Sequence, residues 1–236
     1  MPGIVVQGVT KRFGDLVALD SVDVVVPPGG AVALLGANGA GKSTLMRIIA
    51  GVVLPEAGRV TVDGHDTAAS PRQAKTAIGL VLSDERSWYW RLSGQRNLEF
   101  FAALRFLRPA EATAKARELI ESVGLADAAD RPFGGYSAGM RARLSLARAL
   151  LDQPTVLLLD EPTRSLDPVA AADFRRRIID LTSRLGTAVL FATHDLHEAT
   201  ALASEVVVLH KGVVIARRPQ GTTAVDLEQL LVEATR

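Results

Sequence analysis

The stretch that most constrains this sequence is Gly36-Ala37-Asn38-Gly39-Ala40-Gly41-Lys42-Ser43, which fits the pattern G-x-x-x-x-G-K-[ST]. It stands directly after an apolar run, Ala31–Leu35, and directly before a helical run, Thr44–Ala50. Strand, glycine loop and helix in that order make an anion cradle. The glycines let backbone N–H groups converge on phosphate oxygens, and the helix N-terminus adds positive potential. In such a loop Lys42 bridges the β- and γ-phosphates of a nucleotide, and the Ser43 hydroxyl holds Mg²⁺. Agreement of all three elements leaves little room for an ordinary glycine turn.

The rest of the chain supplies the sheet that such a loop needs. Short β-rich runs recur at Ile4–Val9, Val22–Val26, Ala31–Leu35, Arg59–Val62, Ala77–Leu82, Thr155–Leu159, Ala188–Ala192, Val206–Leu209 and Val213–Ile215. Hydrophobic residues make up 48% of the sequence and aromatics 5%, so the core is built from aliphatic side chains, which suits a buried parallel sheet. Phe174, Ile178, Leu181 and Leu185 have helical spacing, with Asp167 as N-cap, Pro168 as first helical residue and Gly186 as terminator. Strand–helix alternation predicts an α/β fold. Between Leu98 and Leu151 the β pattern disappears; Glu99–Leu107 and Glu111–Val123 read as helices, with Pro109 and Gly124 as breaks. The expectation is a single domain over 1–236 with a helical lobe inserted at about 84–152. Arg175-Arg176-Arg177 reads as a solvated helix face.

Net charge is +1, from 27 basic and 26 acidic residues, which is not the electrostatic footprint of a nucleic-acid binder. The absence of cysteine excludes disulfides and thiolate chemistry and fits a reducing compartment. The amino terminus does not read as a secretory signal. The longest apolar runs fall far short of the ~20 residues that a membrane-crossing helix needs, so any membrane role is exercised through a partner.

Thr155–Leu159 delivers two carboxylates, Asp160 and Glu161, at the C-terminal end of a strand, where open parallel sheets place their ligands. Asp160 is positioned to hold Mg²⁺ through water and Glu161 to polarise an attacking water as general base. Ala188–Ala192 leads to Thr193-His194-Asp195, so His194 emerges at the same edge, either as a γ-phosphate contact or as a structural histidine. Tyr136-Ser137-Ala138-Gly139-Met140 opens a helix; Ser137 is either a simple N-cap or, with Gly139, part of a second phosphate clamp. Trp88-Tyr89-Trp90 concentrates both tryptophans of the chain in three residues. Three adjacent rings cannot all face one core, so the cluster either fills a junction or presents a ring to a partner.

With these residues in view, the chain resembles the ABC ATPase family over its whole length. The resemblance implies a P-loop NTPase of ABC type, with a mainly parallel core sheet, an antiparallel β portion and an inserted helical lobe. Gly36, Ala37, Asn38, Gly39, Ala40, Gly41, Lys42, Ser43 and Thr44 resemble the Walker A loop and Leu157 to Asp160 the Walker B strand, followed by Glu161 as catalytic base. Ser165-Leu166-Asp167 resemble the D-loop, His194 the switch histidine, and Phe13 the aromatic that stacks on adenine, although a core position is equally open to it. The resemblance implies ATP and Mg²⁺ as cofactors. It further implies a head-to-tail homodimer, or a heterodimer with a similar subunit, in which Ser137 and Gly139 of one copy face the Walker loop of the other. A separate membrane-spanning permease completes the expected assembly, held at the cytoplasmic face of the cell membrane.

Two positions depart from the family. The signature, commonly Leu-Ser-Gly-Gly-Gln, is Tyr136-Ser137-Ala138-Gly139-Met140 here, a form similar to motor subunits of ABC-2 exporters. Where the family usually has a Q-loop glutamine the chain has Ser83-Asp84-Glu85-Arg86. Ser83 occupies the expected metal-contacting position, Asp84 or Glu85 offers an alternative oxygen, and Gln95 lies too far along. The alternative function is that of a single-cassette ABC ATPase outside transport, for example in iron–sulfur assembly. A P-loop kinase fits less well, because of the Asp160-Glu161 pair and the Ser137–Gly139 segment.

Overall fold

The computed structural model describes residues 3–82 and 87–234. Two sheets are stacked in its core. The first is antiparallel, in the order β2-β1-β4-β5, from β1 (Ile4–Phe13), β2 (Leu16–Val26), β4 (Ala57–Val62) and β5 (His65–Asp66). The second has the order β10-β9-β3-β8-β7-β6. It is built from β3 (Ala31–Leu35), β6 (Ile78–Val81), β7 (Val156–Asp160), β8 (Ala188–Thr193), β9 (Glu205–His210) and β10 (Val213–Pro219), and is parallel except for the β9–β10 hairpin.

Apolar side chains on both faces of β3, β7 and β8 feed two cores at once. Val32, Leu34, Val156, Leu158 and Leu190 join the antiparallel sheet and α1 (Lys42–Ile49), while Ala33, Leu35, Leu157, Leu159 and Phe191 face the helical layer. This is the period-2 alternation of a strand buried on both sides, and it explains why these segments read as unbroken apolar runs. The helical layer contains α5 (Ala138–Ala149), α6 (Pro168–Leu185), α7 (Leu196–Leu202) and α8 (Ala224–Ala234). In α6 the carboxylate of Asp167 accepts from the Val169 and Ala170 N–H groups, and Gly186 stops the helix in the left-handed region at φ 66°, as the sequence predicts.

The lobe between β6 and β7 holds α3 (Gly94–Ala103), α4 (Pro109–Ser122) and the start of α5, around a third core of Trp88, Leu98, Ile120, Phe133, Tyr136 and Leu144. Its boundaries correct the sequence reading. Ser93 caps α3 by accepting from Arg96 N–H, so the helix begins before Glu99, and it ends before Phe106, whose φ is 64°. Pro109 is the first residue of α4 rather than a break. Arg177 also departs from a purely solvated face: it pairs with Asp173 at 3.1 Å and donates to the Ser122 carbonyl at 3.0 Å, tying α6 to the lobe. The short α2 (Pro71–Thr76), which opens on Pro71, α7, capped by the Asp195 carboxylate, and α8 lie outside the helices predicted from the sequence.

Candidate functional site

Three adjacent strand ends build the site. Leu35 of β3 pairs with Thr193 of β8, and Ala192 of β8 pairs with Asp160 of β7. The loop Gly36–Gly41, His194 and the Asp160-Glu161 pair therefore leave the sheet at one edge, as expected for a parallel sheet. Glycine is required in the loop for reasons of space: a Cβ on Gly36 would meet the Leu209 carbonyl, and one on Gly41, at φ 106°, would lie 2.6 Å from the Ala18 carbonyl oxygen.

The resulting cleft, of about 500 Å³, is lined by Phe13, the loop residues Ala37–Gly41, Lys42, Ser43, Thr44, Asp160 and Glu161. Lys42 is 6% exposed; its amine donates to the Gly36 carbonyl at 2.5 Å and the Ala37 carbonyl at 3.2 Å. Burial pushes its pKa below the ordinary lysine value, against the pull of Glu161 and Asp160. Burial, with the charge of Glu161, pushes Asp160 up, while Lys42 and Arg47 oppose the shift. Glu161 sits at φ 50°, donates its N–H to the Ala192 carbonyl at 3.0 Å and places Oε2 2.7 Å from Nδ1 of His194. A non-glycine residue in the left-handed region stores about 1–3 kcal/mol, and such residues cluster at functional sites.

Phe13 is half exposed on the wall of the cleft. Ser137 and Gly139 are not among the residues lining it. Ser137 caps α5 by accepting from Met140 N–H at 3.3 Å, and a Cβ on Gly139 would lie 2.9 Å from that of Ala170 in α6. Both the N-cap and a packing reason for the glycine are therefore present. Tyr136 is buried in the lobe and donates its hydroxyl to the Ala128 carbonyl at 2.7 Å. Ser83, Asp84 and Glu85 lie outside the described residues. Gln95 donates to Glu99 at 3.0 Å and to the Thr113 carbonyl at 3.2 Å, within the lobe.

Sequence reasoning missed Arg164 and Lys211, which also line the cleft. Arg164 follows Asp160 and Glu161 closely enough to have been found. Lys211 carries no motif: its hairpin reaches the loop because β9 lies beside β3, where the Gly212 N–H donates to the Ala40 carbonyl at 3.0 Å.

The sheet order and a glycine cradle facing two carboxylates define a P-loop ATPase. A family model described as "ABC transporter" matches residues 19–164, and the chain belongs to that family as an ATP-binding, ATP-hydrolysing subunit. It is 42% identical over 213 residues to the daunorubicin resistance ATP-binding protein DrrA3 of Streptomyces coeruleorubidus, covering 90% of this chain and 67% of that one. It is also 42% identical over 209 residues to the sulfate/thiosulfate import ATP-binding protein CysA of Mycobacterium bovis, covering 89% of this chain and 59% of the relative. Among solved structures, cbiO1 of Clostridium perfringens, part of the transporter complex cbiONQ, superimposes with a TM-score of 0.86 at 26% identity, covering 98% of this chain and 93% of the other.

Proposed function

We propose that this chain powers an exporter of ABC-2 type, working as a head-to-tail dimer on a separate membrane-spanning permease at the cytoplasmic face of the membrane. The observation that carries the dimer is the position of Ser137 and Gly139: they stand at the N-terminus of α5, outside the cleft formed by their own chain's P-loop. A helix start of this kind favours an anion, and a second copy brings it to the phosphates. No described helix is long and apolar enough to cross a membrane.

In this reading the loop N–H groups and Lys42 hold the triphosphate, and Phe13 stacks on the base. Glu161 orients and deprotonates the attacking water while His194 fixes the carboxylate. Ser43 and Asp160 fit Mg²⁺: both offer hard oxygen donors in the same cleft, and a cation there would relieve the unfavourable burial of Asp160. Among the described residues no group of three or more His, Cys, Asp or Glu could hold a metal. When bound, the ion supplies neutralisation of phosphate charge.

The Tyr136-Ser137-Ala138-Gly139-Met140 signature and the likeness to the daunorubicin resistance protein support export. The equal identity to a sulfate/thiosulfate import protein favours import as the second reading. Inside-out vesicles carrying the chain with its permease separate them. ATP-driven uptake of daunorubicin supports export, and ATP-driven release of preloaded sulfate without such uptake supports import.

A further inference from the structure

Glu198, in the first turn of α7, is 2% exposed and has no part in the hydrolytic scheme above. Its carboxylate accepts a hydrogen bond from the Thr163 hydroxyl at 2.6 Å, and the Thr193 hydroxyl lies near enough to favour its ionised form. Both threonines are themselves buried. A buried carboxylate is costly unless donors of this kind meet it.

What matters is the origin of the two hydroxyls. Thr163 follows Glu161 by two residues, and Thr193 directly precedes His194. They belong to the segments leaving β7 and β8, whose tips carry the 2.7 Å contact between Glu161 and His194. Thr193 is held on its other side, where its oxygen accepts from the Asp195 N–H at 3.0 Å. Glu198 is fixed by its own N–H, which donates to the Asp195 carboxylate at 3.2 Å. The left-handed backbone of Glu161 persists only where its surroundings over-determine it. Glu198 bonds the chain just past Glu161 through Thr163 and sits beside the Thr193 hydroxyl just before His194, a placement suited to that constraint.

We propose that Glu198 is a positioning residue, clamping the Glu161 and His194 segments together through Thr163 and Thr193 and so fixing the general base in its working geometry. The proposal rests on the reading of Glu161 and His194 as the hydrolytic pair.

The test measures kcat, KM for ATP, nucleotide affinity and thermal stability on the full chain. Glu198→Ala should lower kcat by about 10–100-fold, the scale expected for a misplaced reacting group, with KM for ATP within about threefold. Glu198→Gln, which keeps an oxygen acceptor at the same reach, should restore most of the rate. Thr163→Val and Thr193→Val should each lower kcat several-fold, and they carry the test if Glu198→Ala does not fold. In a Glu161→Gln background, Glu198→Ala should lower turnover no further, because coupled residues are not additive. Glu161→Gln turning over at the parent rate overturns the hydrolytic reading and the clamp with it. A slow Glu161→Gln alongside folded threonine variants at the parent kcat overturns the clamp alone, as does a loss in every variant confined to stability or ATP affinity.

Discussion

Nδ1 of His194 lies 2.7 Å from Oε2 of Glu161, joining the ends of two neighbouring strands through their side chains. With the proton on Nδ1 the imidazole donates to the carboxylate, and Nε2 is the ring's acceptor. His194→Ala should therefore lower kcat by roughly 10²-fold or more, as expected when support for a general base is lost, while ATP binding changes little. Steady-state ATPase assays with a parallel nucleotide-binding titration check this. Turnover equal to the parent would leave His194 a structural residue.

Lys42 is held by loop carbonyls in a buried position. Lys42→Ala should fold as well as the parent, since a desolvated cation is removed, but should bind ATP weakly and lose turnover. Thermal denaturation and titration with a fluorescent ATP analogue read the two effects separately.

Asp160 has a pKa raised above its ordinary 3.8 by burial and by Glu161. A raised carboxylate pKa contributes stability below the unfolded-state value, and that contribution is lost as pH rises through the folded-state value. At neutral pH the ionised Asp160 is thus a cost to the fold. Asp160→Asn should raise the melting temperature at pH 7, with a gain that shrinks to nothing near pH 4 and below, and should abolish hydrolysis. Melting curves of the two proteins across pH give the difference directly.

The three adjacent rings divide their roles. Trp88 is 5% exposed, stacks on Phe133 at 4.9 Å and lies under the Arg148 guanidinium at 4.6 Å, whereas Tyr89 and Trp90 are each 47% exposed. Trp88→Ala should destabilise the chain by about 3–5 kcal/mol. Tyr89→Ala and Trp90→Ala should cost about 1 kcal/mol or less and keep basal ATPase while weakening co-purification with the permease, the outcome expected of interfacial aromatics. Unchanged co-purification in both would remove these rings from the partner surface.

Local chemistry made much of this readable from the sequence. Ala31–Leu35 matches β3 residue for residue, and Asp167, Pro168 and Gly186 bound α6 as their conformational preferences require. The glycine loop and the two carboxylates were legible for the same reason, since each depends on its immediate neighbours. What depends on sheet order was not. Lys211 enters the cleft because β9 lies beside β3, and Glu198 bonds Thr163 across 35 positions. Neither placement follows from a local pattern, since Asp195-x-x-Glu198 marks a helix start and nothing more. The end of α3 was misplaced because Phe106 takes a left-handed conformation usually marked by glycine.

The most direct test of the account is the mass of Glu161→Gln in solution, measured by sedimentation with saturating ATP and with ADP. Replacing the base should leave ATP bound and slow its hydrolysis by about 10²–10⁴-fold, so the variant should sediment as a dimer with ATP and as a monomer with ADP. Adding Ser137→Arg, which obstructs the proposed phosphate-facing helix start, should abolish the ATP dimer. A Glu161→Gln protein that remains monomeric at saturating ATP and high concentration would contradict the shared-site mechanism.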